Sequence, residues 1–322
     1  MENEIGRRVF LKGAAAAAAG TFGMEEEILL SHLGQPGENP GLPDSALTPM
    51  PKGKIKDISI SRLICGGNLI GGWAHSRDLL YVSQLFKSYN TDDKILETLH
   101  LCEQYGINTI LTNPVSGDII NRYWNEKGGK IQWISEVHPK PGDYKTGVRA
   151  AIDRGASMAY IQGAVGDRLV SDGDLELVAE TVHFIQACGL PAGVGGHALE
   201  VITACEEAGI SPDFYVKTLH SEEYWSARKP DQTDEVIRNP HDNFWCVDPA
   251  ATIEYMKGVK KPWIAFKVLA AGAIPPEKGF SYAFGNGADF ICVGMFDFQI
   301  SRDADIAIAA ATGTNRARPW QA

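Results

Sequence analysis

Beyond residue 54 the chain repeats one pattern. Stretches with apolar positions three and four apart, which predict amphipathic helices, end in glycine, and a short continuous apolar run starts at once. It appears as "CEQYG-INTILTN", "AIDRG-ASMAYIQG", "IQACG-LPAGVGGH", "CEEAG-ISPDFYVKTLH" and "AFGNG-ADFICVG". The glycine takes the left-handed conformation that closes a helix. The run after it is too short for a helix and apolar on both faces, as a parallel strand covered on both sides requires. Eight strands are predicted this way, over 61–68, 107–113, 131–138, 157–163, 192–197, 214–219, 263–270 and 290–295. Helical patterns separate most of them, among them "TDDKILETLHLCEQY", with Thr91 as its N-cap. Such alternation over about 250 residues predicts a (β/α)8 TIM barrel spanning 54–322. The rival, an open doubly wound sheet, would carry GxGxxG after its first strand, and "CGGNLIGG" only imitates it.

Composition narrows the partners. The 322 residues are 44% hydrophobic and 22% charged, ordinary globular values, and the net charge of -10 offers no basic field for nucleic acid. The six cysteines (Cys65, Cys102, Cys188, Cys205, Cys246 and Cys292) form no CxxC pair and read as small buried hydrophobes.

The first residues read differently. "GRRVFLKGAAAAAAG" pairs two arginines with Phe10, Leu11 and Lys12 and a mildly apolar alanine tract, too short for a membrane-spanning helix. The segment 1–22 resembles a twin-arginine export signal, with Gly6 where Ser or Thr is more usual. The resemblance implies the twin-arginine machinery as a partner, export in the folded state to the periplasm, and no stable membrane insertion. Residues 23–53, rich in Pro and Gly and without periodicity, read as a linker or arm, and Glu25, Glu26 and Glu27 as a solvated charge run.

Reactive groups of such a barrel stand at the C-terminal ends of its strands. That rule selects Asn68 after the first strand, Asn113 after the second, Glu136 and His138 on the third, Tyr160 and Gln162 on the fourth, His197 at the end of the fifth, Lys217 and His220 on the sixth, Lys267 on the seventh and Asp297 after the eighth. Glu136 and His138 share a face through their spacing of two, as do Tyr160 and Gln162. Trp73 and Trp225, with Trp245, are candidates to line the mouth, since aromatic faces stack on sugar rings.

Two lysines on neighbouring strands depress each other's pKa, burial depresses it further, and a neutral amine attacks a carbonyl to give a Schiff base. "DFYVKT" with Lys217, "AFKVLAAGAI" with Lys267 and "GADFICVG" together resemble the last three strands of class I aldolases of the deoxyribose-phosphate type. The resemblance implies Lys217 as the Schiff-base nucleophile, Lys267 as the second lysine, and no cofactor. Glu136 or His138 would shuttle the proton. The serine- and threonine-rich turn that this family carries after the nucleophile is replaced here by "LHSEEYW". The role requires Lys217 to face into the mouth.

Three other readings stand beside it. His138, His197 and His220 with Glu136 would suit zinc, manganese or iron in a metal-dependent sugar isomerase or epimerase, although no HxH or HExxH spacing is present. "ISRLICGGNLIGGW" followed by "CEQYGINTI" resembles the opening of aldo-keto reductases, but Thr112 and Asn113 stand where that family has its aspartate, and the next tyrosine is Tyr123. A carbohydrate-binding barrel without catalysis is the third. The leading expectation is an exported lyase, aldolase or isomerase acting on a small, polar, sugar-like carbonyl compound. The oligomeric state, a homo-oligomer included, is open.

Overall fold

A computed structural model describes residues 49–76, 79–229 and 246–322. The predicted leader, nearly all of the linker, and Trp245 lie outside the described residues. The compact unit runs Thr48–Ala322, and Met50 is already packed in the core, so the barrel domain starts a few residues before Lys54.

The chain opens with an antiparallel hairpin, β1 (Lys52–Ile55) and β2 (Ile58–Ser61). Eight parallel strands then close on themselves: β3 (Leu63–Gly66), β4 (Thr109–Thr112), β5 (Gln132–Val137), β6 (Met158–Ile161), β7 (Ala192–Gly196), β8 (Phe214–Thr218), β9 (Trp263–Phe266) and β10 (Phe290–Val293). Around the ring the order is β3 to β10 with β10 paired back on β3, and helices cover the outside: the chain is a (β/α)8 TIM barrel. All eight predicted strands are present, each within its expected range. No helix among the described residues is long and apolar enough to cross a membrane.

Side-chain parity separates two cores. Ile64, Leu111, Ile134, Met158, Phe214, Val216, Ile264 and Phe290 fill the barrel interior. Trp133, Val194, Tyr215, Trp263 and Ala265, one residue out of phase, pack against the helices. The hairpin belongs to the interior: Ile55 and Ile60 join the inner cluster and floor the barrel at the N-terminal ends of its strands.

Below that floor the tail is tied down. Arg62 lies 3.7 Å from the ring centroid of Trp320 and 5.1 Å from that of Phe290, and its guanidinium donates to the carbonyl of Ala322 at 2.8 Å. Arg318, fully buried, donates to Asp289 at 2.8 Å, and the same carboxylate oxygen accepts the backbone N–H of Trp263 at 3.0 Å. A carboxylate and guanidinium buried together in this way need each other, since either alone would carry a large desolvation penalty.

Candidate active site

At the upper end of the barrel the interior positions become polar. Glu136 and Tyr160 are register partners on β5 and β6, one layer above Ile134 and Met158. Tyr160 donates its hydroxyl to Glu136 Oε1 at 3.2 Å, and Asn113 donates Nδ2 to Oε2 at 3.3 Å. His138 brings Nε2 to 3.4 Å of Oε2 from the rim. Burial, reinforced by the Glu136 charge, pushes the Tyr160 phenol well above its ordinary pKa, so it stays protonated and keeps donating. Glycine on β7 makes room for the ring. A Cβ at Gly195 would stand 2.9 Å from Tyr160 Cε2 and 2.7 Å from the carbonyl oxygen of Ile161.

The two lysines part company. Lys217 pairs in register with Ala265, and both share the parity of Tyr215 and Trp263, which face the helices. Its side chain is 1% exposed, and Nζ donates to the carbonyls of His197 at 2.8 Å and Thr218 at 3.0 Å and to Thr218 Oγ1 at 2.9 Å. Lys217 therefore faces the helix layer and does not line the mouth, and the nucleophile expected at this position is corrected on that ground. Lys267 has the same outward parity two residues beyond Ala265, but the strand has ended at Phe266 and Lys267 is left-handed, with φ 58°. That turn re-aims the side chain into the mouth, where Nζ meets His75 Nε2 at 3.1 Å. A left-handed L-residue costs roughly 1–2 kcal/mol, and such strain concentrates at functional sites. Ala270 and Ala271 on the same loop are left-handed as well.

His197 follows β7 directly, with Nδ1 at 2.6 Å from Asp167 Oδ2, while Asp167 Oδ1 accepts the backbone N–H groups of His197 at 2.8 Å and Ala198 at 3.0 Å. His220 has both ring nitrogens engaged: Nδ1 donates to the Ser221 carbonyl at 3.0 Å and Nε2 accepts the Cys246 N–H at 2.9 Å. Burial pushes both imidazoles down to about 4. The three-histidine metal set is not assembled. His220 has no lone pair left, and His138, its side chain 42% exposed, stays outside the cavity that His197 lines. Among the described residues no three His, Cys, Asp or Glu side chains gather into a group that could hold a metal ion.

One cavity of about 390 Å3 joins these groups. Of the expected residues Asn68, Glu136, Tyr160, Gln162, His197, His220 and Lys267 line it. Asn113 and His138 reach it only through Glu136. Gln162 also caps the helix Gly163–Ser171, accepting the Val165 N–H at 3.1 Å. Asp297 is held outside by Tyr89 at 2.7 Å and Lys94 at 2.9 Å, and Trp225 is 81% exposed on the loop after β8, between the lining residues Tyr224 and Ser226 but not itself in the lining. Tyr123, the tyrosine nearest to the aldo-keto reductase position, is buried under its own helix and donates to Glu103 at 2.5 Å. Lining residues that pattern reading missed are His75 and Cys292; burial raises the Cys292 thiol, which stays protonated. Asp167 was missed too. Its only mark is an acid on the apolar face of "GAVGDRLV", where a charge needs a partner.

No family model matches the chain, and no curated protein matches it. Solved structures do match. An aldo-keto reductase so described from Pseudomonas aeruginosa superposes with a TM-score of 0.55 at 17% identity, over 81% of this chain and 94% of that one. MGS-M4, an aldo-keto reductase from a Medee basin deep-sea metagenome library, gives 0.51 at 9% identity, over 84% and 96%. An archaeal fructose-1,6-bisphosphate aldolase gives 0.47 at 16%, over 77% and 92%. At these identities the likeness to the two reductases is one of fold: they and this chain are TIM barrels.

Proposed function

We propose that this chain is a lyase or isomerase that acts on a small polar carbonyl compound through an imine on Lys267. The observation that carries the proposal is one of placement. In the closed order of eight strands β5 and β9 are four steps apart, so Glu136 on β5 and Lys267 just past β9 stand on opposite sides of one cavity. His75 is within hydrogen-bond reach of Nζ and serves as its proton-transfer partner as the amine attacks. The amine attacks the carbonyl carbon, a C–N bond forms, and the carbonyl oxygen leaves as water. The resulting iminium draws electrons from the adjacent carbon. Glu136, across the cavity and relayed by Tyr160, takes the proton of a substrate hydroxyl in cleavage, and the pair of the broken C–C bond becomes the enamine. Protonation and hydrolysis return the product and the free lysine. No step uses a metal. Action in the periplasm after twin-arginine export, read from residues 1–22, belongs to the same proposal.

Borohydride reduction in the presence of dihydroxyacetone, glyceraldehyde and pyruvate, followed by peptide mass spectrometry, tests it. The expected result is a reduced adduct on Lys267 in the folded protein and none there after denaturation at the same pH. Adducts spread over surface lysines and absent from Lys267 would overturn it.

A further inference from the structure

Every polar atom of the His197 main chain is held. Its N–H donates to Asp167 Oδ1 at 2.8 Å, and its carbonyl accepts from Lys217 Nζ and from Thr218 Oγ1, each at 2.8 Å. Its Nδ1 meets Asp167 Oδ2 at 2.6 Å, and the carboxylate behind it is 1% exposed. A carboxylate only accepts, so Nδ1 carries the hydrogen and Nε2 is the basic nitrogen. Phe266 packs on the ring at 5.0 Å, and a Cβ on Gly163 would come within 3.0 Å of Cε1, so the imidazole has one seat.

We infer that His197 is a second proton-transfer group of this cavity, held in one tautomer and one place by Asp167 and Lys217 as positioning residues. The inference rests on the imine reading for what the proton leaves. β7 lies two strands from β5 and two from β9, so His197 stands to the side of the line from Lys267 to Glu136. With a substrate bound as the iminium, the C–H bond next to the former carbonyl breaks. Its electron pair becomes the C=C bond of the enamine, the C=N pair moves onto nitrogen, and the proton passes to Nε2 of His197. Reversal at the same carbon exchanges the hydrogen with solvent. Glu136 is left to serve the hydroxyl oxygen, and two stations at different places are what an isomerisation needs. Burial keeps the imidazole neutral at pH 7, ready to accept. Lys217 thus acts on the chemistry from behind, through the His197 carbonyl.

The test is hydrogen exchange of dihydroxyacetone in D2O, read by NMR beside borohydride trapping, on wild type, His197→Gln and Asp167→Asn, with His197→Asn in reserve should the first variant not fold. Wild type is expected to exchange, and the His197 variants to lose exchange by about 100-fold or more while trapping on Lys267 stays. Asp167→Asn supplies a reading that a structural role would not move. The two backbone N–H groups hold the amide oxygen, its NH2 faces Nδ1, and the hydrogen moves to Nε2, visible in the 15N shifts of the ring. Exchange falls with it. His197→Gln exchanging like wild type, or Asp167→Asn leaving the hydrogen on Nδ1, would overturn the inference. Trapping without exchange in wild type would remove His197 and keep the imine. Exchange without trapping would remove the imine and keep His197, and neither would remove both.

Discussion

Lys217 within β8 and Lys267 just past β9 share one parity on neighbouring strands, and a single left-handed residue separates their fates. Lys217 continues β8 and is sealed behind the wall, whereas Lys267 leaves β9 and enters the cavity. Lys267→Met should therefore remove borohydride trapping. Lys217→Met should leave it within about twofold, since Thr218 still serves the His197 carbonyl, and cost about 1 kcal/mol in urea unfolding for the lost hydrogen bonds.

Gly195→Ala should destabilise the barrel by about 1–3 kcal/mol, because the new methyl meets a backbone oxygen that cannot swing aside as well as the Tyr160 ring. Near-ultraviolet circular dichroism should change with it as Tyr160 shifts, whereas Gly142→Ala, on an open turn, should leave that spectrum alone and report only the strain of its own backbone, φ 81°.

Acid should weaken the fold through His220. Its folded pKa of about 4 lies below the unfolded 6.5. The stability it contributes is complete above pH 6.5 and is lost as pH falls to 4, up to roughly 3 kcal/mol at the linkage rate of 1.36 kcal/mol per pKa unit. Urea midpoints at pH 7 and pH 4.5 should converge in His220→Gln relative to wild type.

Asp303 carries the opposite sign. Burial first, with Glu277 adding, raises its pKa from 3.8 to about 7. Ionisation is thus resisted in the folded state, and stability falls as pH rises from about 4 to 7. Asp303→Asn should stabilise the protein at pH 8 by up to roughly 4 kcal/mol at the same linkage rate and do little at pH 3.5. Equal gains at both pH values would refute the buried-charge explanation.

The export reading is tested by changing Arg7 and Arg8 to lysine in a fusion of residues 1–53 to a folded reporter. Loss of the reporter from the periplasm is expected, with normal accumulation in the cytoplasm.

The barrel was readable because glycine-closed helices and doubly apolar strands recur at a steady interval. The same doubly apolar strands hid which way their polar residues point. "DFYVKTL" is buried on both faces, so alternation says nothing of Lys217. Lys267 points inward through a backbone turn that no spacing rule contains. The floor hairpin escaped because its turn, Lys56 and Asp57, has no glycine; Lys56 itself takes φ 52°. Glu136 and Tyr160 were found because their strands end where the rule for barrel mouths looks. Asp167 was missed because it comes from a helix and acts through His197.

The tail under Arg62 brings Ala322 beside the stretch that leads into the hairpin: the Arg62 backbone N–H donates to the Pro51 carbonyl at 2.8 Å while its guanidinium holds Ala322. The domain can therefore be recut as a circle. A short flexible splice from Ala322 to Pro49, reopened at the exposed turn around Gly142, should fold to the same barrel with the same trapping at Lys267. The order in which the strands are synthesised would then be separable from the chemistry they support.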